Sequence, residues 1–168
     1  MKKISYFALT LILSLSIVNP CLFGQVPLAT PGIVPTNLEK IGVVAATQGI
    51  VEITSPGQIG RVAESGQAVF LGDEVKTDAQ GHLQILLLDQ TVFTIGPSSA
   101  IIIDEFVYDP KTSDGKMQAS ITKGIFRYVS GKIAAKKPNN VTIKLPSATI
   151  GIRGTIIAGE AGTNRSFA

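Results

Sequence analysis

Turn chemistry returns at short intervals along this chain, and that spacing limits the fold more than any other feature. Ser55-Pro56-Gly57, Ser65-Gly66, Gly72-Asp73, the stretch 78–81, Asp89-Gln90 and the break at 96–99 punctuate runs of about five residues. Glycine, proline and short polar side chains favour tight turns because they tolerate or pre-set the φ values turns require. Between the turns, apolar and polar residues alternate. GIVEIT (49–54) does so plainly, GRVAESGQAVFLGDEVKT (60–77) weakly, and HLQILLLDQTVFTIG (82–96) reads as two strands around Asp89-Gln90. AIIIDEFVY (100–108) is a further strand, DPKTSDGK (109–116) a polar hairpin-like loop, and SITKGIFRYVSGKIA (120–134) another strand. A second polar loop (136–140) leads to VTIKLPSATIGIRGTIIAG (141–159). No stretch beyond the first two dozen residues repeats its apolar positions at the 3.6-residue period of a helix. Period-two strands with turns about every 8–12 residues predict an all-β domain. Sandwich, barrel and solenoid all satisfy that pattern.

The first residues are of another kind. Lys2 and Lys3 precede an uncharged apolar stretch from Ile4 to Val18, ended by Asn19-Pro20, with Gly24 as a small residue before Gln25. This is the layout of a cleaved secretory signal peptide, and the stretch is short of the roughly 20 residues a membrane span needs. The one cysteine, Cys21, lies inside this leader, and Val18-Asn19-Pro20 lacks the small residues of a lipidation site. The mature chain is then without cysteine, which suits a bacterial envelope protein better than a disulfide-stapled secreted domain. Residues 25–37 hold three prolines and no charge and read as an extended linker. The expected organisation is signal peptide 1–24, Pro-rich linker 25–38, all-β domain 39–159, and a flexible polar tail 160–168.

Charge is unevenly distributed. Without Lys2 and Lys3 the chain has 13 basic and 12 acidic residues. Residues 39–114 carry 11 acids and 4 bases, a net charge of −7; residues 116–153 carry 8 bases and no acid, a net charge of +8. Such asymmetry implies an anionic partner or one half of the domain pairing with the other, and the second is the simpler expectation. The bases are spread along strands and not clustered as in a nucleic-acid-binding arm, so nucleic acid is not an expected partner.

Candidate chemistry is sparse. His82 is the only histidine; a triad with Asp73 and Ser98 has no supporting spacing. Asp104, Glu105 and Asp109 form the densest acidic cluster, better read as a solvated strand end than as a calcium site. No phosphate-binding loop is present. With no tryptophan and three tyrosines, an aromatic sugar-stacking platform is not expected. The reading is therefore non-enzymatic, with no cofactor and no metal.

SATIGIRGT (147–155) poses the sharpest local question, because glycine weakens a strand and two of them stand among β-branched residues. Gly151 and Gly154 are an odd number apart and face opposite sides of a regular strand. The expectation is that neighbouring backbone layers come close at both positions. Arg153 then needs a buried carboxylate, with Asp73, Asp89 and Asp104 as candidates, or else stands in solvent on an edge strand. The structural motif residues so identified are Gly72, Asp73, Gly151, Arg153, Gly154 and Thr155.

FRYVSGKIAAKKPNNVTIKLPSATIGIRGT (126–155) closely resembles the FecR family, exported domains named for the periplasmic part of the ferric-citrate transport regulator. LGDEVKTDAQGHLQILLLDQTVFTIGPSSAIIIDEF (71–106) is similar to the family's other hallmark: a Gly-Asp turn, V-x-T, paired strands and a Pro-Ser corner. The series covers residues 42–155. The resemblance implies an all-β fold of short strands in stacked, solenoid-like or sandwich-like layers, and a role in contacts and signal relay across the envelope. Regulatory members add a cytoplasmic sigma-factor-binding segment and a transmembrane helix. Neither is expected here, so only the periplasmic-type module is carried over. Two departures stand out: Asp89-Gln90 replaces the usual Asp-Gly turn, and the chain is expected to stop early after Thr155, leaving an open last layer. The expected partner is another envelope protein, in the periplasm or at the cell surface. The alternative is an adhesive module whose basic half grips an anionic glycan or lipopolysaccharide.

Overall fold

The computed structural model describes residues 38–162 and 166–167. The expected signal peptide, Cys21 and nearly all of the Pro-rich linker lie outside the described residues. The chain from Lys40 onward is strand after strand: β1 (Lys40–Gln48), β2 (Val51–Thr54), β3 (Arg61–Val62), β4 (Ala68–Phe70), β5 (Glu74–Thr77), β6 (His82–Leu87) and β7 (Val92–Ile95). Two long strands follow, β8 (Ala100–Asp109) and β9 (Asp114–Val129), then one helical turn, α1 (Lys132–Lys136). β10 (Val141–Leu145), β11 (Ala148–Gly151), β12 (Ile156–Ala161) and β13 (Ser166–Phe167) complete the fold.

The domain is all-β, and its layers arise from one sheet that curls. The strand order is β3-β2-β5-β8-β9-β7-β6-β1-β4, antiparallel throughout. β10 lies parallel to the first half of β9, and β12 antiparallel to its second half. A solenoid stacks its coils in parallel; here a single parallel pair occurs among the described strands, so the architecture is a curled half-barrel closed over one core. The strands form because one residue in two is apolar. β6 alternates exposed and buried along its whole length, and β7 buries Phe93 and Ile95. Phe93 meets Tyr128 edge-on at 5.3 Å between ring centres, a geometry worth about 0.5–1.5 kcal/mol beyond burial.

β9 explains the curl. Before residue 122 its odd-numbered side chains Met117, Ala119 and Ile121 point inward; after it the even-numbered Phe126 and Tyr128 do. The parity changes at Gly124, where φ is +91°, a conformation glycine reaches without steric cost. β8 pairs with β9 up to Lys123 and β7 pairs from Phe126. Gly124 is thus the bend at which β9 passes from one half of the sheet to the other. A Cβ there would meet the Ser99 hydroxyl and lie 2.5 Å from Ser99 Cα. The Ser99 hydroxyl itself accepts the Ile125 N–H at 2.9 Å.

Several local expectations need correction. The SITKGIFRYVSGKIA stretch is not strand throughout: α1 begins at Lys132 and buries Ile133 and Ala134. One helical turn is too short to show a 3.6 period. The strands do not stop at Thr155: β12 and β13 follow it. β12 runs to Ala161, two residues past the expected end at 159, and pairs with both β9 and β13. Part of the expected flexible tail is therefore strand. Among the described strands β3, β4, β11 and β13 each pair with one neighbour only, and β11 is the one that leads into residues 152–155.

Candidate functional site

Two buried aspartates organise the turns. Gly72 has φ +80°, and that turn points Asp73 inward, where it is 2% exposed. Its Oδ1 accepts the Ser55 hydroxyl at 2.6 Å; its Oδ2 accepts the Phe70 N–H at 3.0 Å and the Arg61 guanidinium at 3.2 Å. Arg61 also donates to Ser55 and to the Ala68 carbonyl. The pair ties β3, β4 and the 55–58 turn together, and it was legible in principle: Arg61 is the only arginine of the acidic half. Asp89 is fully buried. Its carboxylate accepts the Thr91 N–H at 3.0 Å and the Thr91 hydroxyl at 2.8 Å, and lies 3.4 Å from the Ile133 N–H; its carbonyl accepts the Lys132 N–H at 2.8 Å. Gln90 takes φ +71°, so the turn keeps the shape a glycine would give it. Gly131 packs against this turn: a Cβ there would lie 2.5 Å from the Asp89 carbonyl oxygen. Asp89 and Gly131 together join the β6–β7 turn to α1.

SATIGIRGT has the opposite character. The expectation of close backbone layers at Gly151 and Gly154 is overturned. Among the described residues, chain neighbours aside, no heavy atom lies within 4 Å of a Cβ placed on Gly151, and on Gly154 only the Ile156 carbonyl oxygen comes as near as 3.9 Å. Both residues are exposed, as are Arg153 and Thr155, and neither glycine has positive φ. The physical reason is the route of the chain. Residues 152–155 cross from β11 to β12 outside the core, with Ile152 as the one buried anchor at 1% exposure. Their backbone is held by Ser130, whose hydroxyl donates to the Gly154 carbonyl at 2.7 Å and whose N–H donates to the Thr155 carbonyl at 2.8 Å. Arg153 has no carboxylate partner among the described residues. Asp73 and Asp89 are occupied as above, and Asp104 accepts the Ser120 hydroxyl at 2.5 Å. Arg153 instead borders a shallow hollow of about 250 Å³ with Ser130, Ala134, Ala135, Pro138, Gly154 and Thr155.

The residues considered for chemistry do not converge. His82 is exposed, with Nδ1 3.1 Å from the Gln80 carbonyl, while Asp73 is held by Arg61 and Ser55. Asp104 and Glu105 sit at a bulge where β8 slips against β9, and Glu105 pairs with Lys116 at 3.0 Å. Asp109 caps its own turn; the Lys111 N–H and the Thr112 hydroxyl hold its carboxyl below the usual range. No group of three potential metal ligands occurs among the described residues.

The charge asymmetry is partly internal pairing. Lys116 pairs with Glu105, and Lys136 and Lys137 both pair with Asp114. Hydrogen bonds from Lys137 and then Lys136 pull the Asp114 carboxyl down to about 2. Of the eight bases in 116–153, the other five (Lys123, Arg127, Lys132, Lys144 and Arg153) make no side-chain ion pair among the described residues. No described helix is long and apolar enough to cross a membrane.

Comparison with known proteins agrees with the sequence resemblance. One solved structure, a cell surface anchoring domain, is 31% identical over 37% of this chain and 82% of its own, with a TM-score of 0.36. No curated protein matches. The profile of the family described as FecR protein matches residues 73–166. That span runs from the buried Asp73 through the β9 bend and the exposed glycines to β13, and covers more than half of the chain: the protein belongs to the FecR family.

Proposed function

We propose that this chain is a non-enzymatic, envelope-associated contact module that docks on another envelope protein through β11 and the adjoining residues 152–155. Membership of the FecR family supports the envelope setting, and the sequence supports export to the periplasm. One observation carries the docking reading: β11 is hydrogen-bonded on one side only, and Gly151 at its end has open space where a side chain would stand. A free edge offers its N–H and C=O groups to an incoming strand, and a glycine there lets a partner backbone approach closely. The test is a photo-crosslinking residue at Thr149 in the full chain, expressed in its own host. Adducts with one partner, lost in Thr149→Pro or Ile150→Pro, are expected, since one of two successive residues supplies an outward N–H. Adducts no stronger than those from an exposed control position, Gln58, would refute it.

A second reading, adhesion to an anionic glycan, is favoured by the five cations of 116–153 that lack ion-pair partners among the described residues. Such binding weakens steeply with added salt; salt-insensitive retention on an acidic polysaccharide would contradict it.

A further inference from the structure

The outer face of the sheet formed by β1, β6, β7 and β9 carries an open cleft of about 420 Å³. Its lining includes Thr47, Gln48, His82, Gln84, Thr94 and Arg127. Strand register sets these side chains in order. Gln84 stands opposite Thr94, and Thr94 opposite Arg127. Neighbouring strands lie about 4.8 Å apart, so Gln84 to Arg127 spans roughly 10 Å, about the length of a disaccharide. Gln48, Gln84, Thr94 and Arg127 make no side-chain hydrogen bond or ion pair among the described residues. The Thr47 hydroxyl oxygen, buried at the cleft, also lacks a partner. A guanidinium left unpaired beside amides and hydroxyls is a receptor for a carboxylate with hydroxyl neighbours.

The flanks add a second property. Two residues along each strand runs an apolar row, Leu86, Val92, Val129 and Ile156, paired strand to strand. Leu86 and Ile156 are 39% and 54% exposed. On the far side of Arg127, Ile125 is also exposed. A sugar ring is amphipathic in the same way, with C–H faces beside hydroxyls. A peptide strand finds little purchase across this place: β6, β7 and this half of β9 are each paired on both sides, and β1 has one side unpaired only at its end, residues 46–48, beyond its pairing with β4, so recognition over the cleft falls to side chains.

We propose that this cleft binds an acidic oligosaccharide, with Arg127 on the carboxylate of a hexuronate unit and Gln84, Thr94 and Gln48 on ring hydroxyls. The site rests on the glycan reading above and is independent of the β11 edge. The test is titration of the folded chain with trigalacturonate, read by amide NMR shifts and calorimetry, beside neutral maltotriose and an acidic peptide of equal charge. Trigalacturonate should shift the amides of Gln84, Thr94 and Arg127 and bind at least tenfold more tightly than either control. Arg127→Gln should weaken it about tenfold, as loss of a hydrogen bond to a charged group does. Lys111→Gln, which removes the same charge from another exposed site outside that set of cations, should leave affinity unchanged; unaltered melting temperatures verify both folds. Equal losses from the two variants would overturn the cleft while keeping the glycan reading. No binding at millimolar concentration would overturn both. Equal binding of maltotriose or of the peptide would overturn the acidic-saccharide assignment.

Discussion

Two pairs of glycines in this molecule look alike as letters and behave in opposite ways. Gly124 and Gly131 sit where another part of the chain occupies the space a side chain would need. Gly151 and Gly154 sit on the outside of a crossover, with open space at one and near-open space at the other. The first pair is required by the fold. The second is not required by backbone conformation or by packing; what it provides is a bare stretch of surface. A glycine among β-branched residues therefore marks either a close approach within the protein or a place left open to something else, and the two are separated by what lies within 4 Å.

The sharpest way to break this contrast is at Gly124. Alanine there must adopt φ near +91° and push against Ser99. The combined strain and overpacking should cost about 3 kcal/mol or more, read as a large fall in the urea midpoint or as failure to fold. A midpoint within about 0.5 kcal/mol of the parent would mean β9 does not bend as described. Asp89→Ala comes next. It strands the N–H groups of Thr91 and Ile133 and the Thr91 hydroxyl in a buried place, which should cost about 2 kcal/mol. Loss of protection from hydrogen exchange should centre on the β6–β7 turn and α1.

The smallest expected effect is at Asp114. Lys137 and Lys136 hold its carboxyl at about 2 in the folded chain against an ordinary 3.8. A depressed folded value contributes stability above pH ~4 that is lost as pH falls from ~4 through ~2. Asp114→Asn should remove that slope from an acid titration of stability and lower the neutral-pH midpoint by the same small amount, small because the pair is exposed. An unchanged slope would mean the clasp is open in solution.

The sequence told much about the strands and little about how they close. Alternation located β6, β7 and β8, and the Gly-Asp turn at residues 72–73 announced a real one, because both signals are local. The bend at Gly124 was hidden, since a parity change in β9 shows only once β7 and β8 are known to take different halves of it. Asp89 is by charge a candidate partner of Arg153, yet it is taken by the Thr91 hydroxyl and by the backbone N–H groups of Thr91 and Ile133, and a backbone partner 44 residues away leaves no mark in a side-chain pattern. The exposure of Gly151, Arg153, Gly154 and Thr155 escapes the sequence for a similar reason: a strand-like composition does not say that the chain is crossing outside the core. The Arg127 cleft needs three strand registers at once, and no stretch of sequence contains it.

The central claim is that SATIGIRGT is surface kept bare and not a packing constraint. Equilibrium unfolding of a Gly151→Val/Gly154→Val double variant beside the parent tests it most directly. The structure predicts a midpoint equal to the parent's or slightly higher, since valine favours exposed strand and finds free space at Gly151. A fall as large as that of Gly124→Ala would contradict it and return both glycines to the core.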